Sequence, residues 1–226
     1  MHMQRVVLSV DVVCFALEGQ QLSVLLVKRA EPPFADVWAL PGGAVETDEP
    51  LDAAAARLLA ERSGVSGTYL EQLYTFGDPG RDPRGRTLSV TYFGLLRTGQ
   101  HQPVCAGRGV REVAWFAADA LPPLAFDHGR IAAYARRRLA QKLTYTPLAF
   151  YVLPDIFTLG DLRTLHEAVE GRRYDPSNFP KQMLGRWDLA PVPGVRDRRS
   201  RRPARLYRYV GPGDIAGPPE NLEEHP

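Results

Sequence analysis

A chain of 226 residues, 44% hydrophobic and 24% charged, is long enough for one large globular domain or two small ones and too apolar to stay unfolded. Its 28 basic and 26 acidic side chains leave a net charge of +2, which excludes a uniformly polybasic or polyacidic protein. No apolar run approaches a membrane span, since VVLSVDVVCFAL is broken by Ser9 and Asp11, and residues 1–10 lack a signal-peptide layout; a cytoplasmic protein with no membrane partner is expected.

In chain order, residues 5–17 and 22–29 are β-rich runs joined by Glu18-Gly19-Gln20-Gln21, which reads as a hairpin turn. Cys14 and Cys105 lie far apart in apolar contexts without zinc spacing and read as small buried hydrophobes. The loop 30–37 leads into Trp38-Ala39-Leu40-Pro41-Gly42-Gly43. GAVETDEPLDAAAARLLAERSGV, residues 43–65, then reads as strand, loop, helix and glycine stop. Pro50 suits a first helical turn, Asp48 or Glu49 can cap that end, and Gly64 supplies a left-handed stop. Residues 69–76 and 87–96 are strand candidates separated by GDPGRDPRGR, and 111–121 is another. Asp127 can cap a helix to about Gln141, on which Ile131, Tyr134, Ala135 and Leu139 recur at helical spacing. Residues 1–143 are read as the first domain.

Residues 144–154 form a linker bounded by Pro147 and Pro154, with 148–153 apolar enough to be a docking strand. Beyond it the pattern turns helical. Thr158 is a good N-cap for a helix over 159–169, with Leu159, Leu162, Leu165 and Val169 on one face and Gly171 as its stop. Asp175 or Ser177 starts a second helix through Arg186, burying Phe179, Met183 and Leu184. An arginine-rich loop, 196–205, and a strand, 205–210, follow. Two helices joined by a tight turn and followed by a basic hairpin describe a winged helix-turn-helix over 155–210. Residues 147–210 carry 12 basic against 7 acidic side chains, a net of +5, the footprint of a polyanionic partner. The tail 211–226 is expected to be disordered.

Within 43–65, Gly43, Glu49, Arg57, Leu59, Glu61, Gly64 and Val65 fall where the Nudix box places them, so the stretch resembles that motif. The motif works through carboxylates three and four residues apart on one helix face, which gather Mg²⁺ against a diphosphate and orient a water. Here that face is broken, because Leu58 and Arg62 stand where the first and last of three helix glutamates are expected. A leucine binds no cation and a guanidinium repels one. The expectation is a ligand pocket without the chemistry: no catalytic residue, no metal, no required cofactor. A plain amphipathic surface helix is the bland alternative.

Residues 77–86, GDPGRDPRGR, set Asp78, Arg81, Asp82, Arg84 and Arg86 among turn-forming residues, an arrangement whose arginines suit forked recognition of phosphate. A solvated, self-paired loop has the same composition. Arg29 is a second candidate, and Phe34 and Trp38 can stack on a base or serve as core. His128 reads as part of a helix cap, and His166 has no second ligand at metal spacing. In the winged helix, Ser177, Asn178, Lys181, Gln182 and Arg186 are the polar residues of the reading helix; Asn and Gln suit adenine, Lys and Arg guanine or phosphate. Arg198, Arg199, Arg201, Arg202 and Arg205 have the composition of a wing on the DNA backbone or in a minor groove, or of a solvated loop.

Over nearly the whole chain the broken box, FDHGRI opening a helix, PLAFYVLPDIFTLGDLRTLHEAV, the YDPSNF turn and the terminal RRPARLYRY resemble the NrtR family, Nudix-related bacterial repressors of NAD metabolism. The resemblance implies an α+β chain in which a Nudix-type α/β/α sandwich with a mixed sheet precedes the winged helix. It also implies a homodimer that binds double-stranded operator DNA and is released by ADP-ribose or a related nucleotide. The implied effector site comprises Arg29, Trp38, Gly42, Gly43, Arg57, Glu61, Asp78, Arg81 and Arg84. One departure is Pro180, where the family often carries a basic residue. Two alternatives remain: an active ADP-ribose pyrophosphatase using Glu61 with Glu46 or Glu49, and a regulator of the same build that senses a sugar.

Overall fold

The computed structural model describes residues 6–99, 104–197 and 204–211. It opens with a hairpin of β1 (Val7–Glu18) and β2 (Gln21–Arg29), turned at Gly19 with φ +62°, a left-handed value that glycine adopts without strain. The short strands β3 (Trp38–Ala39) and β4 (Gly42–Ala44) pair with β2 and β1. Then come α1 (Leu51–Ser63), β5 (Tyr69–Phe76), β6 (Thr87–Leu95), β7 (Val110–Ala117) and α2 (His128–Leu143). The sheet runs β3-β2-β1-β6-β5, with β4 on β1 and β7 on β2; β1 and β6 are parallel and every other pair is antiparallel. The mixed sheet follows from that single parallel pair.

Period-two alternation along β1 assigns the two faces. Val10, Val12, Cys14 and Ala16 point toward α1 and bury its Ala54, Ala55, Leu58 and Leu59, while Val13, Phe15 and Leu17 point the other way, toward Ile131, Ala135 and Leu139 of α2. Taking each Leu or Ile out of water contributes roughly 2 kcal/mol, so packing rather than helix propensity fixes both helices in an α/β/α sandwich.

The expected side-chain caps are absent. Pro50 occupies the N-cap of α1 with an extended ψ of 151°, and neither it nor Asp127 at the N-cap of α2 makes a side-chain cap hydrogen bond. Glu49 and Asp127 are drawn instead to Arg57 and Arg81. A charge-assisted bond to a guanidinium is the stronger option for a carboxylate. Gly64 ends α1 at φ +78°, as its sequence position suggests.

The second half contains α3 (Ala149–Val152), β8 (Phe157–Thr158), α4 (Leu159–Glu170), α5 (Asn178–Arg186), β9 (Leu189–Asp197) and β10 (Ala204–Tyr209), its sheet ordered β8-β10-β9. Thr158 and Asp161 cap α4 reciprocally: Asp161 N donates to Thr158 Oγ1 at 3.0 Å and Thr158 N donates to Asp161 Oδ2 at 2.8 Å. Phe179 and Met183 of α5 join Leu162, Leu165 and Val169 of α4 in the core.

Four expectations are corrected. Residues 148–153 form a helical turn rather than a strand, since Pro147 O accepts from Phe150 N and the apolar run, buried on several sides, has no alternation to suit a sheet edge. Phe150 of this turn stacks on Tyr209 at 4.2 Å, and its core is continuous with that of α2. Leu184 is 44% exposed, because only the i and i+4 positions of this short helix reach α4. Cys105 is exposed, whereas Cys14 is buried. β9 extends to Asp197 and β10 begins at Ala204, which shortens the predicted wing loop; Arg198, Arg199, Arg201, Arg202 and tail residues 212–226 lie outside the described residues.

Candidate ligand cavity and nucleic-acid interface

A cavity of about 580 Å³ lies between the first halves of β1 and β6, the 81–86 loop and the start of α2. That volume suits a nucleotide-sized ligand. Its floor comes from a change of chemistry along two strands. On the sheet face where Val13, Phe15, Phe93 and Leu95 form core, the earlier positions are Ser9 and Asp11 in β1 and Thr87, Ser89 and Thr91 in β6, and Asp11, Thr87, Ser89 and Thr91 are buried.

Ser89 Oγ donates to Asp11 Oδ2 at 2.5 Å, Arg81 Nη2 lies 3.7 Å from the same oxygen, and His128 Nε2 lies 3.7 Å from Asp11 Oδ1. Buried His128 accepts from Leu40 N at its Nδ1 (2.9 Å), and burial pushes its pKa below the ordinary value, so the imidazole is neutral with its proton on Nε2. This histidine belongs to the cavity floor rather than to a helix cap. Arg81, its side chain 4% exposed, grips Asp127 in a fork of 3.0 and 2.6 Å. Burial works to lower its pKa, but the bond to Asp127 and the charge of Asp11 outweigh it and leave the guanidinium above its ordinary value. Gly42 faces Asp11 across the β1–β4 pair, where a Cβ would overlap Asp11 Oδ1 and Val10 O, so only glycine lets β4 pass.

Five arginines line the walls, Arg29, Arg62, Arg81, Arg84 and Arg86, against three acids, Asp11, Glu31 and Asp82, so the cavity favours an anion. Arg29 and Arg84 flank the Phe126 ring at 5.0 and 5.7 Å. Phe126 itself is left-handed with φ +55°, and Phe34, at φ +62°, meets it edge-on at 4.8 Å. Bulky residues take this conformation at a cost that surrounding contacts must cover. Arg84 forks onto Asp82, and Arg29 Nε donates to Pro33 O at 2.8 Å. Burial, aided by the charge of Arg84, pulls the Arg29 pKa down. Arg62 donates to the carbonyls of Gly42 and Arg108, closing the wall beside Gly43.

The remaining carboxylates of the box region, Glu61 on α1 and Glu46 and Glu49 ahead of it, are taken. Arg57 Nε donates to Glu49 at 2.8 Å, Nη1 to Glu61 at 3.2 Å, and Nη1 lies 3.7 Å from Glu46. The hydrogen bond from Arg57 holds the Glu49 carboxyl down at about 2. Leu58 is 1% exposed in the core between helix and sheet. Among the described residues no three His, Cys, Asp or Glu converge as metal ligands. This set does not fit the motif's Mg²⁺.

Of the sequence-derived candidates, Arg29, Gly42, Gly43, Arg81 and Arg84 line the cavity. Trp38 turns away and packs on Phe116 at 4.7 Å, Arg57 and Glu61 pair with each other, and Asp78 pairs with Arg130, so these four lie outside its lining. The sequence reading missed Asp11, Arg62, Phe126 and His128. Asp11 carried a usable signal: an acid inside a strand of Val, Cys and Phe is buried beside something that needs it.

On α5, Ser177, Asn178, Lys181 and Gln182 are exposed opposite Phe179 and Met183. Asp175 accepts from Ser177 N at 3.0 Å and from Asn178 N at 2.8 Å, while Glu170 gathers His166, Tyr174 and Arg172, pinning the α4–α5 turn. Pro180 falls in the first helical turn, where its missing N–H breaks no bond. Arg186 is exposed yet donates to Thr144 O at 2.8 Å, just beyond α2. Arg205 is exposed on β10. Among the described residues no helix is long and apolar enough to cross a membrane.

Two family models match the chain: the NUDIX domain over residues 7–138 and the NrtR DNA-binding winged helix domain over residues 149–209. The chain is 33% identical over 210 residues to the ADPR responsive transcriptional repressor NtrR of Acinetobacter baylyi, a match covering 90% of this chain and 82% of that protein. Its fold is similar to the crystal structure of Shewanella oneidensis NrtR complexed with a 27mer DNA, with a TM-score of 0.77, 36% identity and coverage of 90% of this chain and 93% of the other. The first half is similar to the NUDIX domain of Shewanella oneidensis NrtR complexed with ADP ribose, with a TM-score of 0.56, 41% identity and coverage of 61% and 90%.

Proposed function

Since the chain belongs to the NrtR family of Nudix-domain transcriptional regulators, we propose that it is a cytoplasmic, homodimeric repressor of NAD biosynthesis or salvage genes, released from its operator by ADP-ribose or a related nucleotide. The observation that carries this reading is the arginine-walled cavity beside a box helix whose remaining carboxylates are tied to Arg57. Such a site holds a diphosphate by forked contacts without gathering the ion that would cleave it, so the domain senses rather than hydrolyses. The likeness to an ADPR-responsive repressor and to an ADP-ribose-bound Nudix domain supports the effector; the exposed polar face of α5 and the likeness to a DNA-bound relative support the operator.

The fold offers a route for coupling. Arg81 joins the cavity to Asp127 at the start of α2, Arg136 of α2 donates to the carbonyls of Ala168 and Val169 in α4, and the segment after α2 receives Arg186 from α5. A ligand that draws on Arg81 biases α2, which the route runs through. The coupling is reciprocal, so the DNA-bound protein binds effector more weakly.

The test is a mobility-shift titration of the purified protein on its own upstream DNA with ADP-ribose, assaying the same tubes for cleavage. Intact ADP-ribose is expected to weaken operator binding by about tenfold or more. Mg²⁺-dependent cleavage with no release would overturn the sensor reading, and release by a pentose but not by ADP-ribose would move it to the sugar class.

A further inference from the structure

We propose that the cavity floor reads sugar hydroxyls: Asp11 Oδ1 and His128 Nε2 form an acceptor–donor pair that takes the terminal ribose of the effector and sets ADP-ribose apart from nucleotides that end in phosphate. The proposal rests on the ADP-ribose reading above and deepens it.

The cavity has two chemistries at two depths. Arg84, on the wall, has a 61% exposed side chain, whereas Asp11 and His128 have side chains 9% and 5% exposed; Arg81 is as deep, at 4%, but its charge is shared between Asp127 and Asp11. A phosphate is drawn to the exposed wall arginines, whereas at the floor two carboxylates, Asp11 and Asp127, share one guanidinium and leave a net negative charge, so an anionic ligand enters with its phosphates outward. The deeper end must then supply a hydrogen-bond donor, because a carboxylate covered by a ligand without one is desolvated and uncompensated.

Both floor groups are fixed by partners behind them. Ser89 Oγ occupies Asp11 Oδ2, leaving Oδ1 turned toward Gly42, where no side chain intrudes. Leu40 N occupies His128 Nδ1, so the ring presents Nε2–H. The 3.7 Å between Oδ1 and Nε2 exceeds a hydrogen bond. A hydroxyl satisfies both at once, donating to Oδ1 and accepting from Nε2–H, and the second hydroxyl of a vicinal diol is near enough to share the carboxylate. An amino group can donate to Asp11 but offers the imidazole proton no good acceptor.

Calorimetric titration of the full chain with ADP-ribose, ADP and ribose 5-phosphate tests this. In Asp11→Asn the affinity for ADP-ribose is expected to fall at least about tenfold, the scale of a lost charged hydrogen bond, while that for ADP stays within about twofold. Equal losses for both ligands, or no loss for either, overturn the proposal. Should Asp11→Asn fail to melt cooperatively, His128→Asn decides by the same comparison, since its Oδ1 still accepts from Leu40 N while the inner donor is gone. Ribose 5-phosphate binding as tightly as ADP-ribose, and weakening in the same variants, keeps the hydroxyl-reading floor but overturns the nucleotide effector. Selective ADP-ribose binding without release of DNA keeps the floor and overturns the regulator.

Discussion

The cavity and the exposed faces of α5 and β10 keep their cations in opposite states, while Arg172 and Arg173 of the α4–α5 turn pair with Glu170 and Glu167. In the cavity half Arg57, Arg81 and Arg84 each grip a carboxylate of their own chain. In the winged helix Lys181 stands exposed on α5 and Arg205 on β10. The proposed function accounts for the contrast. A diphosphate is one small anion, and binding it selectively requires a few forked groups already in place, which lose little conformational freedom on binding. Duplex DNA carries a charge every ~1.7 Å, and solvated cations bind it by releasing its counterions, with no prior geometry needed. Operator binding should therefore fall steeply with salt and effector binding only slightly.

Removing a committed cation should do the most harm. Arg81→Met leaves Asp127 and Asp11 without their shared guanidinium in a buried site, with an expected loss of about 3 kcal/mol in urea or thermal unfolding and of the response to ADP-ribose. A variant as stable as the wild type would show that Arg81 is no more committed than a surface lysine, and the contrast would break. Removing an exposed cation should leave the fold alone. Lys181→Ala is expected to change stability by less than about 0.5 kcal/mol, to weaken binding across DNA sequences, and to reduce the slope of log K against log salt by about one. An unchanged slope would remove Lys181 from the interface; Gln182→Ala should instead shift sequence preference at similar overall affinity.

What could be read from the sequence was what depends on neighbours in the chain. Gly64 and Gly171 as helix stops, Thr158 as a cap, the spacing of the broken box and the polar positions of α5 are all local, and the structure has them where the residues suggest. The cavity floor was not local. Asp11 and Ser89 are 78 residues apart and meet only because β1 and β6 run parallel, a pairing that leaves no short-range mark. Residues 148–153 were ambiguous for another reason, since a short apolar run carries no period to separate strand from helix. Glu46, Glu49 and Glu61 all look available in a linear motif; that one arginine takes all three is a matter of side-chain geometry.

The smallest expected effect compares a carboxylate pin in each half. Glu49 is held at about 2 by its hydrogen bond to Arg57 and by the Glu46 N–H. Glu170 reaches the same value against the opposing effect of burial, through His166, Tyr174 and Arg172. A carboxyl whose pKa is lower in the folded chain stabilises fully above its unfolded value, here 4.5, and loses that contribution as pH falls through the folded value. Glu49→Gln and Glu170→Gln should therefore each melt below the wild type at pH 7 and converge with it as pH drops toward 2. A gap that persists undiminished at low pH would mean that packing, not charge, is lost. The ligands then separate the two pins. Glu170 fixes the turn that aims α5, so Glu170→Gln should weaken operator binding and leave ADP-ribose affinity alone, whereas Glu49 lies outside the cavity lining and Glu49→Gln should change neither. If Glu49→Gln did weaken ADP-ribose binding, the box helix would still be part of the ligand site, and the division between a structural box and a sensing cavity would have to be redrawn.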